Sequence, residues 1–384
     1  MNFQRPITLH QPGVVSFGIG CASQCAPALL GRGARGVAVV SSPALAAAAE
    51  AVARRLRDNG LAVSVLLDCP AEPDVAAFEA LRRKIHGQPV DSVVGLGGGS
   101  VLDLAKLLAA LHGREEPVTQ FFGTGLIPHR HVHLVCVPTT AGTGSEVSPN
   151  AILYDPADQL KKAVISPHLV PDVALVDPEL TTSAPPALTA ATGIDALVHC
   201  LEAYANRFAH PLTDTIALEG IRLISAHLPR AVANGGDLEA RSAVALGSLY
   251  GGMCLGPVNT AAVHALAYPL GSEFRLAHGL SNALLLPHVV RFNLPAATER
   301  YANVARVLGV TDTGQPAEIA ERGANRLEKL CRACGVPARL SAVGVPAGAI
   351  PRLAVAAMKV QRLLKNNPRE VSLADAEAIY RAAL

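Results

Sequence analysis

Asp195 and His199 stand four residues apart in a stretch of helical periodicity, which puts both side chains on one helix face, a turn apart, ready to grip one ion. His264 and His278 follow, each among apolar or small neighbours. One carboxylate and three imidazoles suit a borderline divalent metal such as iron(II), with zinc(II) as the alternative, and leave a coordination position open for substrate. Taken singly, each imidazole fits a hydrogen-bonded core histidine. The joint occurrence of four candidate donors is what points to a metal.

Two loops offer a different chemistry. Gly95-Leu96-Gly97-Gly98-Gly99-Ser100 lies between an apolar run and a helical stretch opening with Val101-Leu102-Asp103. Glycines let a backbone approach a pyrophosphate, and the helix N-terminus beyond adds free N–H groups and a positive dipole end. On its own such a stretch reads equally as a tight turn, and it does not follow the GxGxxG spacing. Pro138-Thr139-Thr140-Ala141-Gly142-Thr143-Gly144-Ser145-Glu146 follows a second apolar run and carries four hydroxyls and two glycines. Those groups hydrogen-bond phosphate, ribose and amide without charge. Together the two loops favour a dinucleotide lying across the edge of a sheet.

The elements that must position these residues differ along the chain. From Gly36, apolar runs at Val37–Val40, 62–67, 92–96 and 133–137 alternate with helical stretches at 43–58, 74–84 and 101–111. That alternation predicts a parallel sheet covered on both faces. Beyond Pro185 only helical periodicity remains, at 193–206, 212–227, 238–255 and on to the C-terminus. The proline-rich stretch 155–186 reads as the tail of the first domain and a connector, with the boundary near 184.

Composition narrows the class. The 384 residues carry a formal charge of +2, half are hydrophobic and 17% are charged. A nearly neutral chain without basic runs gives nucleic acid and anionic membrane no electrostatic reason to bind. No apolar run reaches the length of a membrane span, and the first residues lack the apolar core of a signal peptide. Eight scattered cysteines are too sparse for a disulfide framework, which predicts a cytoplasmic protein with free thiols. Cys331 and Cys334 form the one CxxC and lack a second pair, so they read as structural. His129, His131 and His133 would line one strand face beside Arg130, but no acidic residue stands close in sequence, which reads as a solvated edge.

Taken in order, these motifs resemble the iron-containing (group III) alcohol dehydrogenases. The resemblance rests on Gly97-Gly98-Gly99-Ser100-x-x-Asp103-x-x-Lys106, on Thr139 to Glu146, on Gly193-Ile194-Asp195-x-x-x-His199-x-x-Glu202-Ala203, and on His264-Ala-Leu-Ala-Tyr268-Pro-Leu-Gly271 running into His278-Gly279-x-x-Asn282. It implies an α/β dinucleotide-binding domain with a parallel sheet over 1–184 and an all-α, metal-binding domain over 185–384, the dehydroquinate synthase-like fold. It implies Fe2+ held by Asp195, His199, His264 and His278, and NAD(P) held by Gly97, Gly98, Gly99 and Ser100 at the pyrophosphate and by Thr139, Thr140 and Thr143 at the nicotinamide half. Asp103, Ser145 and Lys162 are counted with the cofactor contacts, Lys162 having a solvated surface pair with Lys161 as its other reading. The implied activity is hydride transfer between NAD(P) and a small primary alcohol or its aldehyde, in a homodimer or larger homo-oligomer.

Three positions depart from the family pattern. Tyr268 stands where many members have histidine. It reads as an acid/base residue together with His278, or as a tyrosine packed in the site wall, since an unperturbed phenol with a pKa of about 10 is a poor base at neutral pH. Ser42 stands where NAD-preferring members often carry aspartate, and losing that carboxylate removes the repulsion toward a 2'-phosphate, so NADP is admitted. Arg275 replaces a common histidine and would favour an anionic substrate, or is solvated. The rival functions within the fold are a dehydroquinate synthase-type lyase using NAD and zinc, and a maleylacetate reductase-like oxidoreductase. The lyases hold a phosphorylated substrate with basic residues, whereas no lysine occurs here between Lys162 and Lys329.

Overall fold

A computed structural model of the chain describes residues 5–384. Two compact units emerge, one comprising His10–Thr140 and Gly144–Thr182, the other residues 5–9, Ala141–Thr143 and Ser183–Leu384.

The first unit contains nine strands: β1 (Val14–Phe17), β2 (Gly36–Val40), β3 (Ala62–Leu66), β4 (Ser92–Gly97), β5 (Gly123–Thr124), β6 (His133–Pro138), β7 (Asn150–Asp155), β8 (Leu160–Ile165) and β9 (Val173–Val176). Six of them form one sheet in the order β1-β9-β6-β4-β2-β3, every pairing parallel. Its helices are α1 (Cys25–Leu30), α2 (Ala46–Asp58), α3 (Val75–Lys84) and α4 (Gly99–Leu111). Because side chains alternate along a strand, successive residues enter different cores. Ala38 and Val40, Val93, Leu134 and Cys136 pack with α3 and α4. Val37 and Val39, Val94, Val135 and Val137 pack with α1 and α2. Burial on both faces explains why these strands read as continuous apolar runs.

The stretch read as a connector holds more regular structure than expected. β7 and β8 form an antiparallel hairpin that, with the short β5, makes a second, three-stranded sheet, and β9 lies inside the large sheet between β1 and β6. The hairpin sequence is mixed because only alternate residues of β7, Ala151, Leu153 and Asp155, are buried. Its tip carries Gln159 at φ 55°, a left-handed turn position.

The second unit is helical: α5 (Pro186–Tyr204), α6 (Pro211–Ala233), α7 (Leu238–Leu255), α8 (Ala262–Phe274), α9 (His278–Asn293), α10 (Thr298–Val307), α11 (Pro316–Ala333), α12 (Ile350–Met358), α13 (Gln361–Leu364) and α14 (Leu373–Ala383). One apolar cluster runs through it, with α5 deeply enclosed. Close helix approach is permitted by glycine: a Cβ on Gly193 would lie 2.3 Å from Leu228 Cδ1, and one on Gly220 would lie 2.5 Å from Cys200 Sγ. Among the described residues no helix is long and apolar enough to cross a membrane. All eight cysteines are free and buried, and burial pushes the Cys331 thiol up to about 12.

Within the histidine triplet His129 and His131 are exposed, as a solvated edge requires, and only His133 departs from that reading. His133 is buried at the start of β6, and its Nδ1 lies 3.0 Å from Asp172 Oδ2, an oxygen that also accepts from Arg130 at 2.7 Å. Burial opposes charge on Asp172, but His133 and Arg130 hold its carboxyl well below the usual range. The acidic partner comes from the turn before β9, 39 residues along the chain, where local sequence could not reveal it.

Candidate metal centre and nucleotide loops

Three helices of the second unit converge. α5 supplies Asp195 and His199, α8 supplies His264 near its start, and His278 opens α9. Three imidazole Nε2 atoms face one oxygen, Asp195 Oδ1, at 3.9 Å from His199, 3.4 Å from His264 and 3.6 Å from His278. The rings of His199 and His264 stack with centroids 4.8 Å apart, and that of His278 tilts against His264 at 5.2 Å. Asp195, His199 and His264 are almost fully buried, whereas the His278 side chain is 27% exposed.

The surroundings decide which nitrogen points inward. His199 Nδ1 lies 3.2 Å from the Gly142 carbonyl and His264 Nδ1 lies 2.6 Å from Glu202 Oε2, both pure acceptors, so each ring donates from Nδ1 and turns its Nε2 lone pair to the centre. Only glycine fits at 142, because a Cβ there would lie 2.7 Å from Thr192 Cβ. Asn282, one turn beyond His278, places Nδ2 2.6 Å from Asp195 Oδ1 and 3.3 and 3.4 Å from Nε2 of His264 and His278, while its buried Oδ1 has no hydrogen-bond partner among the described residues.

The electrostatics fit a divalent cation. With neutral imidazoles the buried cluster holds two carboxylates, Asp195 and Glu202, and among the described residues no lysine or arginine pairs with either. Burial of His264 disfavours its charged form, yet Glu202 and Asp195 outweigh burial and push it up to about 10. Burial likewise opposes ionisation of Asp195, but His199, His278 and His264 hold it well below the usual carboxylate range. Left to itself, the cluster draws a positive charge inward; a dication would balance its two negative charges and receive four N and O donors.

Tyr268, one turn beyond His264 on α8, lies with its ring centroid 5.8 Å from that of His278. It is beside the cluster and half-buried. Arg275 caps the C-terminus of α8 in the left-handed region at φ 55° and is exposed.

In the first unit β2, β4 and β6 are neighbours and end on the same edge, bringing Ser42, Gly97–Ser100 and Thr139–Thr140 side by side. Ser41 Oγ donates to the Leu96 carbonyl at 2.7 Å, and Thr139 N donates to the Gly97 carbonyl at 3.0 Å, which ties the three strand ends together. A Cβ on Gly97 would lie 2.6 Å from Val101 Cβ, and one on Gly98 would lie 3.2 Å from Thr140 Oγ1. The glycines therefore serve close packing as well as open access. α4 starts here with no side-chain cap and no acidic residue in its first turn, leaving an N-terminus suited to an anion. The Ser100 hydroxyl donates to the Ala71 carbonyl at 2.5 Å.

Asp103 and Ser145, counted with the cofactor contacts, turn inward. Ser145 Oγ donates to Asp103 Oδ1 at 2.5 Å, and Asp103 Oδ2 accepts from Ile152 N at 2.9 Å. Lys106, fully buried, donates to Ser145 O at 2.9 Å, to Ser145 Oγ at 3.0 Å and to the Asn150 carbonyl, with Asp103 at 3.9 Å. Burial presses Lys106 down and Asp103 up, and their mutual attraction opposes both shifts. These residues hold the loop after β6 against α4. Lys162 is likewise committed, its ammonium 2.8 Å from Asp155 Oδ2, bonded to Asp158 and 5.3 Å from the Phe122 ring.

Glu202, Asn282, Gly142 and Lys106 were letters of motifs without assigned roles. Glu202 had a readable signal, since 195, 199 and 202 fall on one helix face. Lys106 had one too: a lysine three residues after Asp103 in an otherwise apolar helix must be buried with a partner.

The chain matches two family models, Iron-containing alcohol dehydrogenase over residues 12–178 and Fe-containing alcohol dehydrogenase family, C-terminal, over residues 189–384. It is 39% identical over 378 residues to Long-chain-alcohol dehydrogenase 1 of Geobacillus thermodenitrificans (strain NG80-2), covering 97% of this chain and 95% of that one. It is 36% identical over 337 residues to the NAD-dependent methanol dehydrogenase of Bacillus methanolicus, covering 87% and 88%. Among solved structures, a 1,3-propanediol oxidoreductase superposes with a TM-score of 0.96 at 33% identity, covering 99% of this chain and all of the other. With both halves matched and the fold shared over its length, the chain belongs to the iron-containing alcohol dehydrogenase family.

Proposed function

We propose that this protein interconverts a small primary alcohol and its aldehyde, with a divalent metal at Asp195, His199, His264 and His278 and with NAD(P) on the loops after β2, β4 and β6. Membership of the family makes it an oxidoreductase acting on CH–OH groups, and the relatives named above are alcohol dehydrogenases. The observation that carries the site reading is the convergence of three Nε2 atoms on one buried carboxylate oxygen, the tautomers of His199 and His264 being held from behind by Gly142 and Glu202.

When bound, the metal supplies Lewis-acid polarisation of the C–O group and the dinucleotide accepts or returns the hydride. The chain supplies the geometry. Asp195, His199 and His264 form a buried floor, and the more exposed His278 stands at its rim, with Tyr268 beside it as the group able to pass a proton outward. The hydroxyls of Thr139, Thr140 and Thr143 and the amides of Gly97, Gly98, Gly99 and Ser100 serve the dinucleotide without cationic side chains. Ser42, at the end of β2, leaves no carboxylate to reject a 2'-phosphate, which supports use of NADP beside NAD. Iron(II) is the family's metal, with zinc(II) compatible with the same donors.

We divide the labour at residue 184, with 1–184 serving the dinucleotide and 185–384 the metal. Eight free thiols support a cytoplasmic setting. Exposed apolar side chains on the helices, Leu188, Leu212 and Val355, support a homodimer or larger homo-oligomer.

The test is metal-free protein loaded anaerobically with iron(II) or zinc(II) and assayed for NADH and NADPH oxidation against short aldehydes, with and without an acid or hydroxyl group. Turnover is expected only after loading. Undiminished turnover by protein stripped of metal would overturn the assignment.

A further inference from the structure

Glu202 lies three residues beyond His199, on the face of α5 that carries Asp195 and His199, and is 4% exposed. Both of its oxygens are taken by one short segment at the start of α8. Oε1 accepts from Val263 N at 2.6 Å, and Oε2 accepts from Ala261 N at 2.9 Å and from His264 Nδ1 at 2.6 Å. The N-cap of α8 is Ala261, which has no side-chain acceptor, and the first turn contains no acidic residue. A buried helix start needs partners for its first N–H groups. Glu202 provides them from another helix.

The same carboxylate governs His264. A ring that donates from Nδ1 to a carboxylate keeps Nε2 free as a lone pair, made more basic by the negative charge behind it. That Nε2 is the atom 3.4 Å from Asp195 Oδ1. His199 differs, because the acceptor behind it is the neutral carbonyl of Gly142. One side chain thus joins α5 to α8, caps α8 and aims a donor on it.

We propose that Glu202 is the positioning residue of the metal centre, setting how tightly the metal is held while leaving dinucleotide binding alone. The inference rests on the reading of Asp195, His199, His264 and His278 as ligands.

Glu202→Gln separates charge from shape, because one amide oxygen still accepts from Ala261 and His264 while the charge and the bond from Val263 are lost. Zinc(II) is titrated into metal-free wild type, Glu202→Gln, Glu202→Ala and His264→Ala against a chromophoric chelator. NADH binding is followed by fluorescence, and the Nδ1 proton of His264 by NMR of the zinc-loaded, 15N-labelled protein. The expected result for Glu202→Gln is zinc affinity about 10–100-fold weaker, unchanged NADH affinity, and an upfield move of the Nδ1 proton as its hydrogen bond weakens. Glu202→Ala should lose more affinity and also unfold at lower denaturant. Wild-type zinc affinity in Glu202→Gln, with affinity lost in His264→Ala, would overturn the inference and leave the ligand reading standing. Failure of wild type to take up zinc would overturn both.

Discussion

In the helical unit, Asp195, His199, His264 and His278 turn their polar atoms onto one point, whereas in the α/β unit the buried Lys106 and the largely buried Asp103 turn toward each other and toward Ser145 of the loop after β6. The first arrangement gathers two carboxylates and three imidazoles with no lysine or arginine paired to them among the described residues, and suits a cation. The second spends its charges on internal structure and leaves backbone N–H groups, hydroxyls and a helix N-terminus at the surface, which suits the phosphates and amide of a dinucleotide. Buried charge has therefore two distinct uses in one chain: left unbalanced it makes a binding site, and balanced it makes a scaffold.

The largest break in that contrast comes from His264→Ala. Removing one of four donors from the cluster should abolish metal retention and turnover, read by metal analysis and aldehyde reduction, while NADH binding stays at the wild-type level. Loss of NADH binding would show that the two sites are not separable.

Lys106→Met addresses the scaffold. Leaving Asp103 buried without its cation should cost about 3–5 kcal/mol in denaturant unfolding, with weaker NADH binding and unchanged zinc affinity. A neutral effect on stability would mean that the hydrogen bonds from Ser145 and Ile152 satisfy Asp103 alone.

Glu146, in the same loop, sharpens the contrast through pH. Burial pushes its carboxyl up from 4.5 to about 7, against the pull of its own backbone N–H and of Lys106. A folded state that binds the proton more tightly than the unfolded chain is favoured at low pH. The Glu146 contribution should fall by about 3 kcal/mol as pH rises from roughly 4.5 to 7 and then level off. Urea unfolding at pH 5 and pH 8 should show this decline in wild type and its absence in Glu146→Gln.

Smaller effects probe the loops. Gly97→Ala would place a methyl 2.6 Å from Val101 Cβ, an overpacking cost of about 1–3 kcal/mol, measured as reduced stability together with weaker NADH binding. Ser42→Asp should lower kcat/KM for NADPH about tenfold, equivalent to 1.4 kcal/mol, with NADH kinetics retained. Equal loss with both cofactors would place the 2'-phosphate away from the end of β2.

Much of this was legible in order along the chain. The apolar runs at 37–40, 92–96 and 133–137 are strands of the parallel sheet, and the periodic stretches at 193–206, 212–227 and 238–255 fall on α5, α6 and α7. Pairs within one turn, such as Asp195 with His199, were readable because helix geometry fixes which residues share a face. The hairpin of β7 and β8 was not, since its half-buried alternation is short and flanked by prolines. Nor were the inward turn of Asp103 and Ser145 or the engagement of Lys162, which depend on neighbours brought together by folding.

The sequence by itself determined the two kinds of architecture, the residue types that could hold a metal and the loops that could meet a nucleotide, because periodicity and local spacing are properties of the chain alone. Tertiary structure decided the rest. The approach of α5, α8 and α9 brings residues 195 and 282 within one hydrogen bond and aims the Nε2 of His264 through Glu202 behind its ring, while the pairing of β6 with β9 leaves Asp172 beside His133. Those pairings are set by packing between elements distant in sequence, and helical or strand periodicity carries no record of which faces will meet.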